Sequence, residues 1–168
     1  EMNNITALSN ETCQLGIQSR NMVLYIAKKD SPQPIRLMSS VGKQLPLYCT
    51  GLGRALLAYK SEEEIRSLFP EVLTAYTPHT IATINDLLKE LELTRQRGYA
   101  VEREETNLMV NCIAVSLDYN NAPIAALSIS IPTFRISESK EKEAVQILWE
   151  AKQRIETHFK MYGVDFGN

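Results

Sequence analysis

Two alternating runs separated by a few turn residues constrain this chain more than anything else in it. Residues 110–117 read V-N-C-I-A-V-S-L and residues 123–131 read P-I-A-A-L-S-I-S-I, with 118–122 between them and Pro132 closing the second run. A period of two puts Ile113, Val115 and Leu117 on one face and Cys112, Ala114 and Ser116 on the other. In the second run Ala126, Ser128 and Ser130 share a side. The pair reads as an antiparallel hairpin, and a slip of one residue in its register would turn every side chain over. A two-residue Asn120–Asn121 turn would pair Leu117 with Ile124 and point Cys112 away from the serines. A three-residue loop, Tyr119–Asn120–Asn121, would pair Asp118 with Ala122 and Cys112 with Ser128. Asparagine tolerates the left-handed conformation that such a loop needs at its bulge. The expectation is the three-residue loop, with positive φ at Asn121.

The rest of the chain supplies partners for that hairpin. Residues 3–9 form a short helical or turn segment. Residues 12–18 and 22–27 make a second hairpin around 19–21, a third strand is expected over 35–41 after Pro32 and Pro34, and a further strand over 99–102. Ser61 and Glu64 form a capping box for a helix that runs to Phe69 and stops at Pro70. Thr83 or Asn85 caps a helix over 87–97, and Gly98 ends it. Ser137 caps a long final helix, 138–160, expected to be buried through Val145, Leu148, Trp149, the stem of Lys152, Ile155 and Phe159. With 168 residues, no internal repeat and no low-complexity tract, a single unit is expected. The fold class is α+β, an antiparallel sheet with flanking helices.

Composition removes several functions. A formal net charge of −2 gives no electrostatic case for nucleic-acid binding by this chain itself. Cys13, Cys49 and Cys112 are odd in number and in no C-x-x-C arrangement, which suits a reducing, cytoplasmic setting better than a disulfide framework. No apolar run approaches about 18 residues, so no transmembrane helix is expected. The chain opens at Glu1 inside what reads as a helix, so a preceding segment is expected.

Residues 45–59, L-P-L-Y-C-T-G-L-G-R-A-L-L-A-Y, carry the clearest candidate for a binding site. Pro46 keeps the approach extended, and Thr50 can cap the helix that follows. That would leave the amides of Gly51, Leu52 and Gly53 as unpaired donors for a small anion, with the glycines allowing close approach. An ordinary capped core helix explains the same residues. The small strand face of Cys112, Ala114, Ser116, Ala126, Ser128 and Ser130 is either closely covered by a helix or the floor of a pocket. No catalytic set stands out: Cys112 lacks a neighbouring base, since His79 and His158 are remote in sequence. No His, Cys and Asp cluster has metal-ligand spacing, so neither metal nor cofactor is expected.

The blocks L-P-L-Y-C-T-G-L-G-R-A-L-L-A, R-Q-R-G-Y-A-V-E-R-E-E, N-C-I-A-V and L-S-I-S-I-P-T-F-R, in that order, resemble the C-terminal effector-binding domain of the IclR family of bacterial transcription regulators. The resemblance implies a GAF-like fold over residues 1–168, and a separate N-terminal winged helix-turn-helix domain, absent from this chain, that binds operator DNA. It implies a homodimer or homotetramer and, from the phrase S-I-P-T-F-R, a repressor of carbohydrate or sugar-acid catabolism rather than an enzyme. It also implies a small carboxylate effector, a keto acid or sugar acid, held by Gly51, Leu52, Glu102, Cys112, Ser128 and Ser130. Three positions depart from the family pattern. Glu102 stands where keto-acid relatives often have Asp, Met109–Val110–Asn111 replaces a Gly-x-Arg, and Ile131 replaces a Gly. The alternatives are a cysteine-dependent enzyme on the same scaffold and a dimerisation module without ligand.

Overall fold

A computed structural model describes residues 1–34 and 40–164. The elements in chain order are α1 (Met2–Ser9), β1 (Thr12–Ser19), β2 (Met22–Lys29), β3 (Gln44–Pro46), α2 (Gly51–Leu57), α3 (Glu62–Leu68), α4 (Ile84–Arg97), β4 (Ala100–Arg103), β5 (Val110–Tyr119), β6 (Ala122–Pro132) and α5 (Glu138–Tyr162). The six strands form one antiparallel sheet in the order β3-β2-β1-β6-β5-β4. The two hairpins expected from the alternation are both present, joined side by side through β1 and β6. The strand expected over 35–41 falls for the most part on residues 35–39, outside the described residues, and the third strand is Gln44–Pro46.

Helices cover both faces, and the two periodicities of the sequence divide the core between them. Ile113, Val115, Leu117, Leu127, Ile129 and Ile131 pack under α1 and α5 through Ile5, Val145 and Leu148. On the other face Val23, Tyr25, Ala100, Ala114 and Ala126 meet α2 and α4 through Leu52, Ala55, Leu56, Leu87 and Leu91. The small residues of that face therefore have, in part, the plain explanation: alanine lets α2 lie close on the sheet. Trp149 does not join the core as expected. It remains 39% exposed and packs edge-on against Tyr99 instead.

The hairpin register departs from the expectation. Tyr119 pairs with Ala122 across a two-residue turn, and Asn120 and Asn121 have φ of 52° and 63°. Two successive left-handed residues make the turn whose twist matches antiparallel strands, and asparagine accepts that conformation. The register then shifts: Asp118 pairs with Pro123 but Leu117 with Ala125, so Ile124 is bulged out. The bulge cancels the slip that the short turn would have caused. Cys112 faces Ser130 and Ala114 faces Ser128, and Cys112 and both serines share a face after all.

Beside this hairpin β4 is short. It pairs with Asn111–Ala114 only, so among the described residues the outer half of β5 has no strand neighbour on that side. Side chains from α5 bond there instead. Lys152 Nζ donates to Ser116 O at 2.9 Å, and the Asp118 amide donates to Glu156 Oε1 at 2.8 Å. Tyr59 completes the cluster, bonding Ser116 Oγ at 2.9 Å and donating to Asp118 Oδ2 at 2.5 Å.

Candidate functional site

The site is built around the start of α2. A 3-10 turn over Leu47–Cys49 brings the chain to Thr50, whose extended backbone ends it and caps the helix. Thr50 Oγ1 accepts from the Gly53 amide at 3.1 Å and donates to Pro46 O at 3.1 Å, tying the turn to the helix. Gly53 is thus not a free donor, contrary to expectation. The amides of Gly51 and Leu52 have no partner among the described residues. With only seven residues in α2, what this helix offers an anion is those two amides rather than a long dipole.

The two glycines serve packing as well. A Cβ on Gly53 would lie 2.1 Å from Leu47 O, so only glycine fits against the turn. A Cβ on Gly51 would come within 3.2 Å of Cys112 Cβ and 3.4 Å of Ala114 Cβ. Gly51 thus lies directly over β5, so a larger residue there would press on the sheet as well as block the approach of an anion.

Beneath this helix start the sheet brings polar groups together. Cys112 Sγ and Ser130 Oγ are 3.0 Å apart, and Ser130 Oγ donates to Gln14 Oε1 at 2.8 Å. Ser128 Oγ donates to the same oxygen at 3.4 Å. Glu102, the cross-strand partner of Cys112, shares a side-chain hydrogen bond with it, and its Oε1 accepts from the amides of Glu105 at 2.6 Å and Thr106 at 3.2 Å. Burial raises the Glu102 carboxyl to about 7, against the pull of those amides and of Cys112. Burial, then Glu102, likewise pushes the Cys112 thiol well above its ordinary range. It is a protonated, weakly polar group and not a thiolate nucleophile. His79 is exposed in the 77–80 loop and His158 is on α5, across the sheet from Cys112, so neither supplies a base.

Of the six residues singled out by sequence, Gly51, Glu102, Cys112, Ser128 and Ser130 converge here through side chain or backbone. Leu52 contributes its amide, while its side chain belongs to the core against Gly16. Sequence reasoning missed four neighbours. Gln14 and Tyr25 come from β1 and β2. Arg54 and Glu105 form a buried ion pair behind the site, in which Arg54 also donates to Tyr48 O and Val101 O, both at 2.9 Å. An arginine amid the apolar residues of α2 was the readable signal for that pair. A separate cleft of about 200 Å³ lies at the other end of α2, lined by Ala58, Tyr59, Gly98, Tyr99 and Ser116, and it contains none of the six. Among the described residues no group of three His, Cys, Asp or Glu could hold a metal ion, and no helix is long and apolar enough to cross a membrane.

An antiparallel sheet with helices on both faces and a buried polar cluster under one helix start defines a ligand-sensing type of domain, and its fold recurs among solved bacterial regulators. The C-terminal domain of the E. coli transcriptional regulator KdgR superposes with a TM-score of 0.85 at 33% identity, over 97% of this chain and 94% of that one. Residues 1–157 match the family described as bacterial transcriptional regulator IclR C-terminal, and the chain belongs to the IclR family as its C-terminal effector domain. It is 38% identical over 157 residues to the HTH-type transcriptional regulator KdgR of Dickeya chrysanthemi, covering 92% of this chain and 52% of that protein. It is 33% identical over 158 residues to the HTH-type transcriptional repressor AllR of E. coli K12, covering 93% and 58%. The chain therefore spans little more than half the length of these curated relatives.

Proposed function

We propose that this domain senses a small carboxylate, a keto acid or sugar acid, for a cytoplasmic repressor of carbohydrate or sugar-acid catabolism. The observation that carries this reading is the buried set of Gln14, Glu102, Ser128 and Ser130, with the half-buried Cys112, beneath two unpartnered amides. Donors at Gly51 and Leu52 suit the carboxylate. The hydroxyls, thiol and Glu102 suit the carbonyl or hydroxyl groups beyond it. The likeness to KdgR and AllR supports the regulatory role, and the protonated Cys112 thiol argues for a sensor rather than a cysteine enzyme. On this reading the sheet and helices are a GAF-like sensor. An N-terminal winged helix-turn-helix domain reads operator DNA, and the regulator is a homodimer or homotetramer. Effector binding biases the arrangement of subunits and with it the DNA-binding domains, a coupling between two sites.

A thermal-shift screen with pyruvate, D-gluconate and D-galacturonate tests the reading, followed by calorimetry on the acids that stabilise the chain. Removing one hydroxyl in Ser128→Ala or Ser130→Ala should weaken binding by ~1–3 kcal/mol by leaving a polar group of the acid unpaired. Normal binding by both folded variants would place the effector elsewhere.

A further inference from the structure

Gln14 is 4% exposed and stands on β1 directly opposite Ser128, with Ser130 on the diagonal of the same face. Leu15 and Ile17 pack towards α1 and α5, which leaves Gln14 on the other face with Cys112 and the serines. Opposite and diagonal neighbours on adjoining strands are both within reach of a long side chain. The Gln14 carboxamide meets both: Ser130 Oγ donates to Gln14 Oε1 at 2.8 Å and Ser128 Oγ at 3.4 Å. One buried oxygen therefore gathers the hydrogens of two residues that line the effector site.

Those hydrogens decide what the serines can offer a ligand. A hydroxyl has a single hydrogen to give and two lone pairs with which to accept. Ser128 and Ser130 have given theirs to Gln14, so toward any further group they act as acceptors. Ser130 lies 3.0 Å from Cys112 Sγ and, with its hydrogen committed, is the acceptor in that contact too. Lone pairs remain on both serine oxygens. The site is thus polarised, with the Gly51 and Leu52 amides as donors at the helix start and acceptors on the sheet below. A carboxylate matches the amides. A ketone oxygen set against the serines would bring lone pairs against lone pairs, whereas a hydroxyl would donate to them.

We propose that Gln14 is a positioning residue that sets the polarity of the effector site: it holds the hydrogens of Ser128 and Ser130, so the effector is a hydroxy acid whose hydroxyl donates to these serines. This rests on the sensing function proposed above and narrows it to hydroxylated sugar acids over keto acids. Lactate against pyruvate and glycerate against hydroxypyruvate are pairs alike in size and charge that differ in this one group. These four acids and D-gluconate would be titrated by calorimetry into the parent chain, Gln14→Met and Ser130→Ala, each shown to be folded by its thermal midpoint. In the parent the hydroxy acids should bind about tenfold more tightly than the keto acids, the effect of one hydrogen bond. In both variants that advantage should disappear, because Gln14→Met releases the serine hydrogens and Ser130→Ala removes an accepting oxygen. A merely structural glutamine would weaken both members of a pair alike and leave their ratio unchanged. Keto acids that bind the parent as tightly as hydroxy acids, or more tightly, would overturn the polarity and leave the sensing function standing. An advantage that persists in either folded variant would overturn the part given to Gln14 and the serines. If Gln14→Met does not fold, the parent's ranking and Ser130→Ala still decide. Binding of none of the five acids would overturn the sensing site together with this inference.

Discussion

Burial lifts the Glu102 carboxyl to about 7, although two amides and a thiol hydrogen-bond to it. The folded chain then holds a proton on Glu102 that the unfolded chain releases at a lower pH. Folding is favoured while that proton is held, so stability falls as pH rises from the ordinary 4.5 through about 7 and stays lower above it. The contribution is on the order of 3 kcal/mol across that window. Urea unfolding of the parent and Glu102→Gln at about pH 5 and about pH 8 should show a loss in the parent that the variant largely lacks. Equal losses in both would mean that Glu102 ionises freely in the fold. Glu102, Cys112 and the two serines were legible in the sequence, because strict alternation and an ordered set of blocks placed them on one face. Gln14 was half legible. Leu15 and Ile17 share the face of β1 that packs towards α1 and α5, so Gln14 lies on the other face, but only the β1–β6 pairing brings it beside the serines. Tyr25 was not legible, since an aromatic in an apolar strand reads as core.

Elements around the site owe their positions to pairs that the sequence hides. Arg54 reaches from α2 to the turn before it, to β4 through Val101 O, and to Glu105, whose Oε2 also accepts from the Ile81 amide at 3.2 Å. Removing one partner of such a pair leaves the other charged and buried, so Arg54→Met should cost about 3–5 kcal/mol. Adding Glu105→Met should recover part of that loss, though not the bonds to the Tyr48 and Val101 carbonyls. Chemical denaturation of the single and double variants measures both. A single variant within about 1 kcal/mol of the parent would show that the pair does not hold α2 in place. The β5–β6 hairpin gives a different lesson in legibility. Asn121 was read correctly as left-handed and Asn120 was not, because loop length was inferred on the assumption of uninterrupted pairing. The bulge at Ile124 compensates for the shorter turn, and nothing in the local sequence distinguishes a long loop from a short loop plus a bulge.

At the scale of the molecule the sheet is a partition. One core is shared with α1 and α5, the other with α2, α3 and α4, and the polar cluster lies in the second. That division was legible from the opposite faces of β5, whereas the order of strands was not, because the link between β1 and β6 joins segments remote in sequence. The unpaired outer half of β5 bears on how copies of this chain meet in solution. A bare strand border is a template onto which another chain can add, and folded proteins keep such a route closed. Lys152 and Glu156 close it from the opposite face, since an incoming strand would have to displace both from Ser116 O and the Asp118 amide. Lys152→Ala would free the carbonyl and leave Asp118 and Glu156 without the cation between them. Light scattering during mild heating should then detect growth of large species well before the parent forms any, and matching onset temperatures would mean that the border is guarded by something other than this lysine. Lys152 would thus act less as a stabilising ion pair than as a gatekeeper against runaway self-templating.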